Sequence, residues 1–156
     1  MSRVNSQGRW YVEEPRGETY AQLLDALAGR SHVVTLALSR RKGSTIEVPA
    51  ELRSYLQAVR SLTNRFGSAG TVEVAHFALS ESCARALRVY ANGWFEWKLP
   101  DLPEDLAIQV GDRVLIGGVT HERTCWFEGE RAFLDSMLHA APTLKVLQGP
   151  GFRGGR

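Results

Sequence analysis

The sequence predicts an α+β fold in a single domain, with a mixed β-sheet, two to three packed helices and a β-hairpin at residues 85–98. Three observations lead to this prediction. The segment 19–30 carries apolar residues on one helical face, and the first half of the chain alternates strand-like with helix-like segments. In addition, Asn92-Gly93 stands between two runs of strand-forming residues, which is the pattern of a two-residue hairpin turn.

The first half of the chain is expected to fold as strand, helix, strand, helix, strand. In the first helix, residues 19–30, Thr19 and Gln22 form a capping box and Gly29 ends the last turn. The strands are predicted at residues 8–14, 32–39 and 71–79, and the inward face of the helix consists of Tyr20, Leu23, Leu24 and Leu27.

The longest predicted helix covers residues 49–67. Pro49 suits the first turn of a helix, and Gly67 is a common residue just beyond the last turn. Apolar residues recur along this segment at the three- and four-residue intervals of one helical face. The resulting stripe consists of Leu52, Tyr55, Leu56, Val59, Leu62 and Phe66.

The second half of the chain is predicted to be richer in strands. Its hairpin is followed by segments whose β-branched and aromatic residues favour extended chain, and then by one more amphipathic segment. The predicted elements are a loop at DLPEDL, extended chain over 112–127 broken near Gly117-Gly118, a helix over 129–141 and a last strand over 143–147.

Composition places the chain among ordinary globular proteins. Hydrophobic residues make up 44% and charged residues 23% of its 156 residues. A chain of this length can bury an adequate core without a metal ion or disulfides. We expect one globular domain over residues 1–148 and a flexible glycine-rich tail over 149–156.

The sequence shows no targeting or membrane-spanning pattern. Its first ten residues contain no apolar run, and no segment approaches the roughly 20 apolar residues that cross a bilayer. Two cysteines, Cys83 and Cys125, are too few for a disulfide framework. We therefore expect a soluble cytoplasmic protein with no membrane partner.

Aromatic residues concentrate on the predicted hairpin and supply the first candidate site. Both faces of this ribbon carry large apolar side chains, so the hairpin is either sandwiched in the core or presents one face to a partner. Aromatic residues beside an arginine are typical of protein interfaces. We expect a non-catalytic protein-binding domain of the immunity, inhibitor or adaptor type, or a subunit of a larger assembly. Its partner-binding residues are Arg88, Tyr90, Phe95 and Trp97.

Basic residues in the first half supply an alternative site, for nucleic acid. Residues 1–70 contain ten basic and six acidic side chains, whereas residues 71–156 contain nine and eleven. A basic loop beside one flank of the helix at 49–66 would contact phosphates, and such binding weakens steeply with salt. The contact residues of this alternative are Arg40, Arg41, Lys42, Arg53 and Arg60.

The segment HERTCWF carries a candidate thiol–imidazole pair, His121 and Cys125. Four residues span about 6 Å along a helix but roughly 13 Å along a strand, so the two groups meet only if the segment is helical. Its β-branched and aromatic residues favour a strand. A small Cys-dependent enzyme therefore requires Cys125 to meet a distant histidine through the fold, and this stays as a second alternative.

Other side chains suited to chemistry show no informative spacing. The acidic pairs Glu13-Glu14 and Glu104-Asp105 indicate solvated charges of loops or edges. The four histidines lack the paired spacing of metal ligands, and the segment GSAG precedes a strand rather than a phosphate-binding helix. We therefore expect no catalytic residue, no metal site and no cofactor.

Overall fold

One antiparallel sheet of eight strands organises the computed structural model, which describes residues 7–29, 31–39, 45–63 and 70–148. In chain order the strands are β1 Gly8–Val12, β2 Val33–Ala37, β3 Leu56–Thr63, β4 Thr71–Ala78, β5 Glu104–Val110, β6 Arg113–Val119, β7 Thr124–Gly129 and β8 Val146–Gln148. Their order across the sheet is β3-β4-β2-β5-β6-β7-β1-β8. The α-helices are α1 Gly17–Leu27, α2 Glu81–Tyr90 and α3 Arg131–Ala140, and short 3₁₀ segments lie at Ala50–Tyr55, Trp94–Glu96 and Thr120–Glu122.

Helix α1 forms where apolar residues recur on one helical face, as predicted. Its four inward side chains are fully buried, and each leucine taken out of water stabilises the fold by roughly 1.5–3 kcal/mol. The predicted capping box is absent: the helix begins at Gly17, and the Thr19 hydroxyl contacts the Thr143 hydroxyl instead. Because α1 packs against both α2 and α3, it is the centre of the helical layer.

A continuous row of apolar side chains crosses six strands and forms the floor of the core. Each member is the cross-strand partner of the next, so their side chains point to the same face of the sheet. All six are buried in the same cluster as the inward faces of the helices. From β4 to β1 the row consists of Phe77, Val34, Ile108, Ile116, Phe127 and Trp10.

The predicted mixed sheet is wrong, because every pair of described strands is antiparallel. Each α-helix does connect two strands that run in the same direction, but other strands lie between them. Strands β7, β6 and β5 separate β1 from β2, strand β2 separates β4 from β5, and β1 separates β7 from β8. The α1 connection runs across the sheet in the opposite direction to the other two, but it also starts from a strand of opposite direction. With the right-handed crossover that proteins prefer, all three helices therefore lie on the same face of the sheet.

The hairpin predicted at residues 85–98 is also wrong, since residues 85–90 belong to helix α2. Ser80 caps this helix, because its hydroxyl accepts a hydrogen bond from the Cys83 backbone N–H at 3.1 Å. Asn92-Gly93 lies just beyond the helix, and the chain then enters the 3₁₀ segment Trp94–Glu96. The turn residues thus follow a helix rather than joining two strands.

The helix predicted at residues 49–67 is replaced by the 3₁₀ segment Ala50–Tyr55 and by strand β3. Of the five stripe residues that the structure describes, Leu52 alone is fully buried, whereas Leu56 and Val59 are exposed. The reason is tertiary: β4 offers β3 a hydrogen-bonding partner along its whole length. Helical spacing of apolar residues therefore did not decide the conformation here.

Most other predicted elements are confirmed with shifted bounds. The first strand, the second strand and the strand at 71–79 correspond to β1, β2 and β4, and the last helix corresponds to α3. The extended segment 112–127 consists of β6 and β7, but the break is the 3₁₀ turn Thr120–Glu122 and not Gly117-Gly118, which lies inside β6. The sequence pattern does not predict strand β5, which begins within the segment DLPEDL that is predicted to be a loop.

Two further predictions concern the ends of the chain and membranes. The predicted tail at 149–156 lies outside the described residues. Within the described ranges, no helix is both long enough and apolar enough to span a bilayer.

Candidate functional site

The four residues predicted to form an aromatic binding face do not share an exposed surface. Trp97 is fully buried: its indole N–H donates to the Tyr20 hydroxyl at 3.0 Å, and its ring centre lies 6.2 Å from that of Tyr90. Arg88 is exposed on α2 and lies 3.4 Å from the Asp25 carboxylate of α1. These placements fit the alternative in which this segment belongs to the core.

Phe95 lies in a polar setting at the rim of that core. Its backbone N–H donates to the Glu14 carboxylate at 2.8 Å, and its buried ring lies 5.7 Å from the Arg123 guanidinium. The same Glu14 carboxylate lies 3.7 Å from Arg16 and 3.8 Å from Arg123. The carboxylate therefore ties together three segments of chain, which is a structural role and leaves Phe95 little surface for a partner.

The predicted nucleic-acid contacts are only partly described. Arg40, Arg41 and Lys42 lie outside the described residues. Arg53 is exposed in a 3₁₀ segment, 3.5 Å from Glu47, and Arg60 is exposed on strand β3. The predicted shared flank is wrong because no helix joins Arg53 to Arg60.

The two thiols are poor candidates for a nucleophile. Cys83 and Cys125 are both buried and form no disulfide. Burial raises the pKa of the Cys83 thiol to about 12 and raises that of Cys125 further, so both stay protonated at neutral pH. His121 is exposed in the 3₁₀ turn before β7, whereas Cys125 lies inside that strand. The strand prediction is therefore confirmed for Cys125, whereas His121 lies in a 3₁₀ turn that the sequence did not predict.

Three side chains suited to metal binding converge at the start of β5, and we call them the carboxylate–imidazole cluster. Glu104, Asp105 and His121 each offer one ligand atom, and these atoms all lie within 4.8 Å of one another. Glu104 is buried, Asp105 is half-buried and His121 is exposed, so the cluster runs from the interior to the surface. Sequence spacing gave no signal for it, because the acidic pair and the histidine belong to different strand ends.

A β-bulge and a short turn bring the cluster together. Ala37 of β2 pairs with Glu104 and Thr35 pairs with Ala107, so β5 contains one extra residue in this interval. Asp105 takes up the irregularity with a φ of 57°, a conformation that Asp tolerates better than most residues. Bulges of this kind change the direction of side chains.

Hydrogen bonds fix the turn that carries the histidine. The Thr120 backbone N–H donates to Asp105 Oδ1 at 2.8 Å, and the Thr120 hydroxyl donates to the Trp97 carbonyl at 2.9 Å. His121 follows directly in the 3₁₀ segment Thr120–Glu122. The hydrogen bond from Thr120, the residue before His121, therefore fixes the Asp105 carboxylate relative to the turn that carries the imidazole.

A cavity of about 370 Å³ lies between the end of α1, helix α3 and the β5–β6 turn. Its lining includes apolar residues, two acids and the basic residue Arg113. His32 borders it, and its Nδ1–H donates to the Leu27 carbonyl at 2.5 Å. The volume suits a small ligand, but charges of both signs line it, so the cavity selects no ligand class.

Strand β3 forms an open edge of the sheet. It is the terminal strand in the sheet order, and no described strand pairs with its outer side. Residues 56–63 are exposed or half-buried along their whole length, and Leu56 and Val59 are among the exposed large apolar residues of the described chain. Such an edge presents unpaired backbone N–H and C=O groups to any extended segment that approaches it.

Comparison of the chain with protein-family models, with curated proteins and with solved structures finds no match. The function has therefore to be inferred from the geometry of the molecule itself.

Proposed function

We propose that this is a protein-binding domain that captures an extended segment of another protein along strand β3. The single observation that supports the proposal is the eight-residue strand β3, which has no described strand on its outer side and is exposed on both of its faces. The proposal keeps the class of function expected from the sequence, a non-catalytic binding domain, and moves its surface from residues 85–98 to residues 56–63. Strand addition of this kind draws affinity from backbone hydrogen bonds and specificity from alternate side chains.

The two faces of β3 indicate the chemistry of the partner. Val59 is paired with Ala75, a residue of the core cluster, so Val59 points to the helical side of the sheet. Arg60 therefore points to the opposite side, beyond Val74. An added strand would place apolar side chains beside Val59 and acidic side chains beside Arg60. The expected partner segment carries an apolar residue next to an acidic one, so that they lie beside Val59 and Arg60 respectively.

The sequence of the edge argues against a second copy of this chain as the partner. Arg60 is the one charged side chain between Leu56 and Thr63. A twofold antiparallel pairing centred near the middle of β3 would place the two Arg60 side chains opposite or diagonal to each other. Like charges in these positions destabilise a strand pair, whereas a carboxylate there would stabilise it.

The edge also carries a partial safeguard against indiscriminate pairing. The register between β3 and β4 shifts between Leu56 and Ala58, so a bulge interrupts the start of the strand. Bulges and isolated charges are devices by which natural edges avoid aggregation. The regular stretch that remains, residues 58–63, is long enough for a short strand.

A designed peptide tests this proposal. The probe is a fluorescein-labelled octapeptide that alternates valine and glutamate, titrated against the full chain by fluorescence anisotropy, with amide chemical shifts to locate the contact. We expect saturable binding with shifts confined to β3 and its surroundings, and at least tenfold weaker binding to Arg60→Glu. The matched control Arg85→Glu, which makes the same charge change on the exposed side of α2, should bind as the unchanged protein does.

Three results would contradict the proposal. One is the absence of shifts in residues 56–63 at millimolar peptide. Another is an equal loss of binding in Arg60→Glu and Arg85→Glu, which would indicate unspecific charge attraction. The third is a duplex-DNA complex that weakens steeply with salt and is lost in an Arg53→Ala, Arg60→Ala double variant, which would favour the nucleic-acid alternative.

A further inference from the structure

We propose that the carboxylate–imidazole cluster of Glu104, Asp105 and His121 is a binding site for a divalent transition-metal ion, represented by Zn²⁺. The observation is geometric: one imidazole nitrogen and two carboxylate oxygens lie within 4.8 Å of one another. This site is independent of the proposed binding edge, since strands β4 and β2 lie between β3 and β5.

The donor atoms lie near the spacing that one bound ion requires. Zinc binds imidazole nitrogen and carboxylate oxygen at about 2.0–2.2 Å, and its tetrahedral geometry then places two ligand atoms about 3.3–3.6 Å apart. Because the donor atoms of the cluster lie within 4.8 Å of one another, the widest pair has to close by up to about 1.5 Å. His121 is exposed and can rotate to close this gap, while the bulge and the Thr120 hydrogen bond hold Asp105 in place.

The chemistry of the donors selects the class of metal. Carboxylates alone suit calcium and magnesium, whereas imidazole nitrogen favours zinc, iron, copper and nickel. A set with one nitrogen and two oxygens therefore favours a divalent transition metal over the alkaline-earth ions. Three protein ligands leave at least one position for water, as in zinc sites that are not fully enclosed by protein.

The burial of Glu104 strengthens the attraction to a dication. Glu104 is 2% exposed, so its carboxylate acts through a less polar medium than water does. Asp105 also has one oxygen fixed by the Thr120 N–H, an outer contact of the type that orients metal ligands. The cluster thus combines a buried carboxyl group, an oriented carboxyl group and an exposed nitrogen donor, with access for an ion from the His121 side.

Zinc titration of the full, untagged chain tests the site. After treatment with a chelator and dialysis, calorimetry should show saturable binding of one Zn²⁺ per chain, and the melting temperature should rise with zinc. The variant His121→Ala should bind zinc at least tenfold more weakly. Asp105→Asn should do the same, although its amide oxygen can still accept the Thr120 N–H.

His139→Ala is the matched control, because His139 is an exposed histidine on α3 outside the cluster. It should leave zinc affinity unchanged, and all three variants should melt near the unchanged protein in the absence of metal. The proposal is overturned if no saturable binding occurs or if His121→Ala binds as tightly as His139→Ala. Binding of calcium or magnesium as tightly as zinc would overturn the assignment of the metal class.

Discussion

Single residues decide how the sheet of this protein is packed on its second face. Gly117 of β6 pairs with Trp126 of β7, and Trp126 is buried although it points away from the row of core residues. A Cβ atom placed on Gly117 would lie 2.4 Å from Trp126 Cζ2. Glycine is therefore required here by the close approach of the indole ring, whereas the sequence suggested a break in the strand at this position.

The substitution Gly117→Ala should destabilise the fold by about 1–3 kcal/mol, because the added methyl group displaces the indole ring. Urea unfolding followed by circular dichroism measures this cost. In a Trp126→Phe background the ring is smaller, so the same substitution should cost less. Strictly additive costs in this double-mutant cycle would show that contact with Trp126 is not the cause.

At the scale of elements, helix caps and strand-pairing partners determined whether a segment became a helix or a strand. Asn92-Gly93 predicted a hairpin, yet the preceding residues form α2 because Ser80 supplies a cap and Ala84, Ala86 and Leu87 are good helix formers with buried side chains. The sequence contains this cap, and recognising Ser80 as an N-cap residue predicts that helix α2 begins after it. The conformation of residues 56–63 carried no such local signal, because their apolar spacing fitted a helix.

Loss of the α2 cap should have a measurable cost. Ser80→Ala removes the acceptor for the Cys83 N–H and should lower the free energy of unfolding by about 0.5–2 kcal/mol. Ser82→Ala changes an exposed residue in the first turn of α2, two residues after Ser80, and should change the free energy of unfolding by less than about 0.5 kcal/mol. Equal effects of the two variants in urea unfolding would contradict the assignment of Ser80 as the cap.

On the scale of the whole molecule, the core contains one phenol and two thiols that stay protonated to higher pH in the folded state than in the unfolded chain. Burial raises the pKa of Cys83 to about 12, and it also raises the pKa of Tyr20 and of Cys125. In the unfolded chain the pKa of a thiol is about 8.5 and that of a phenol is about 10. The unfolded state therefore releases these protons at lower pH than the folded state does.

Stability should accordingly fall as pH rises above about 8.5, by up to about 1.4 kcal/mol per pH unit for each group that the unfolded chain has ionised. Below that pH these groups are protonated in both states and contribute no pH dependence. Urea unfolding at intervals from pH 7 to pH 10.5 measures the effect. The variant Cys83→Ala should show a shallower decline over pH 9–10.5 than the unchanged protein, and a flat profile in the unchanged protein would contradict the prediction.

The candidate sites show the same division between local and tertiary information. Arg53 and Arg60 were predicted to share a helical flank, and the structure places them on different elements. Residue spacing predicts a solvated pair at Glu104-Asp105 and no metal-ligand role for His121. Nothing in the spacing of these residues shows that the start of β5 and the β6–β7 turn meet, because that depends on strand order.

The sequence by itself determined the α+β class, the buried face of α1, several strands and the strand conformation of Cys125. These features depend on periodicity and propensity, which act over a few neighbouring residues. Only the tertiary structure decided that the sheet is antiparallel, that residues 56–63 are its open edge and that Glu104, Asp105 and His121 converge. Each of these depends on which distant segment supplies the hydrogen-bonding partner, and local pattern does not encode that choice because one apolar spacing can serve a helix or a strand.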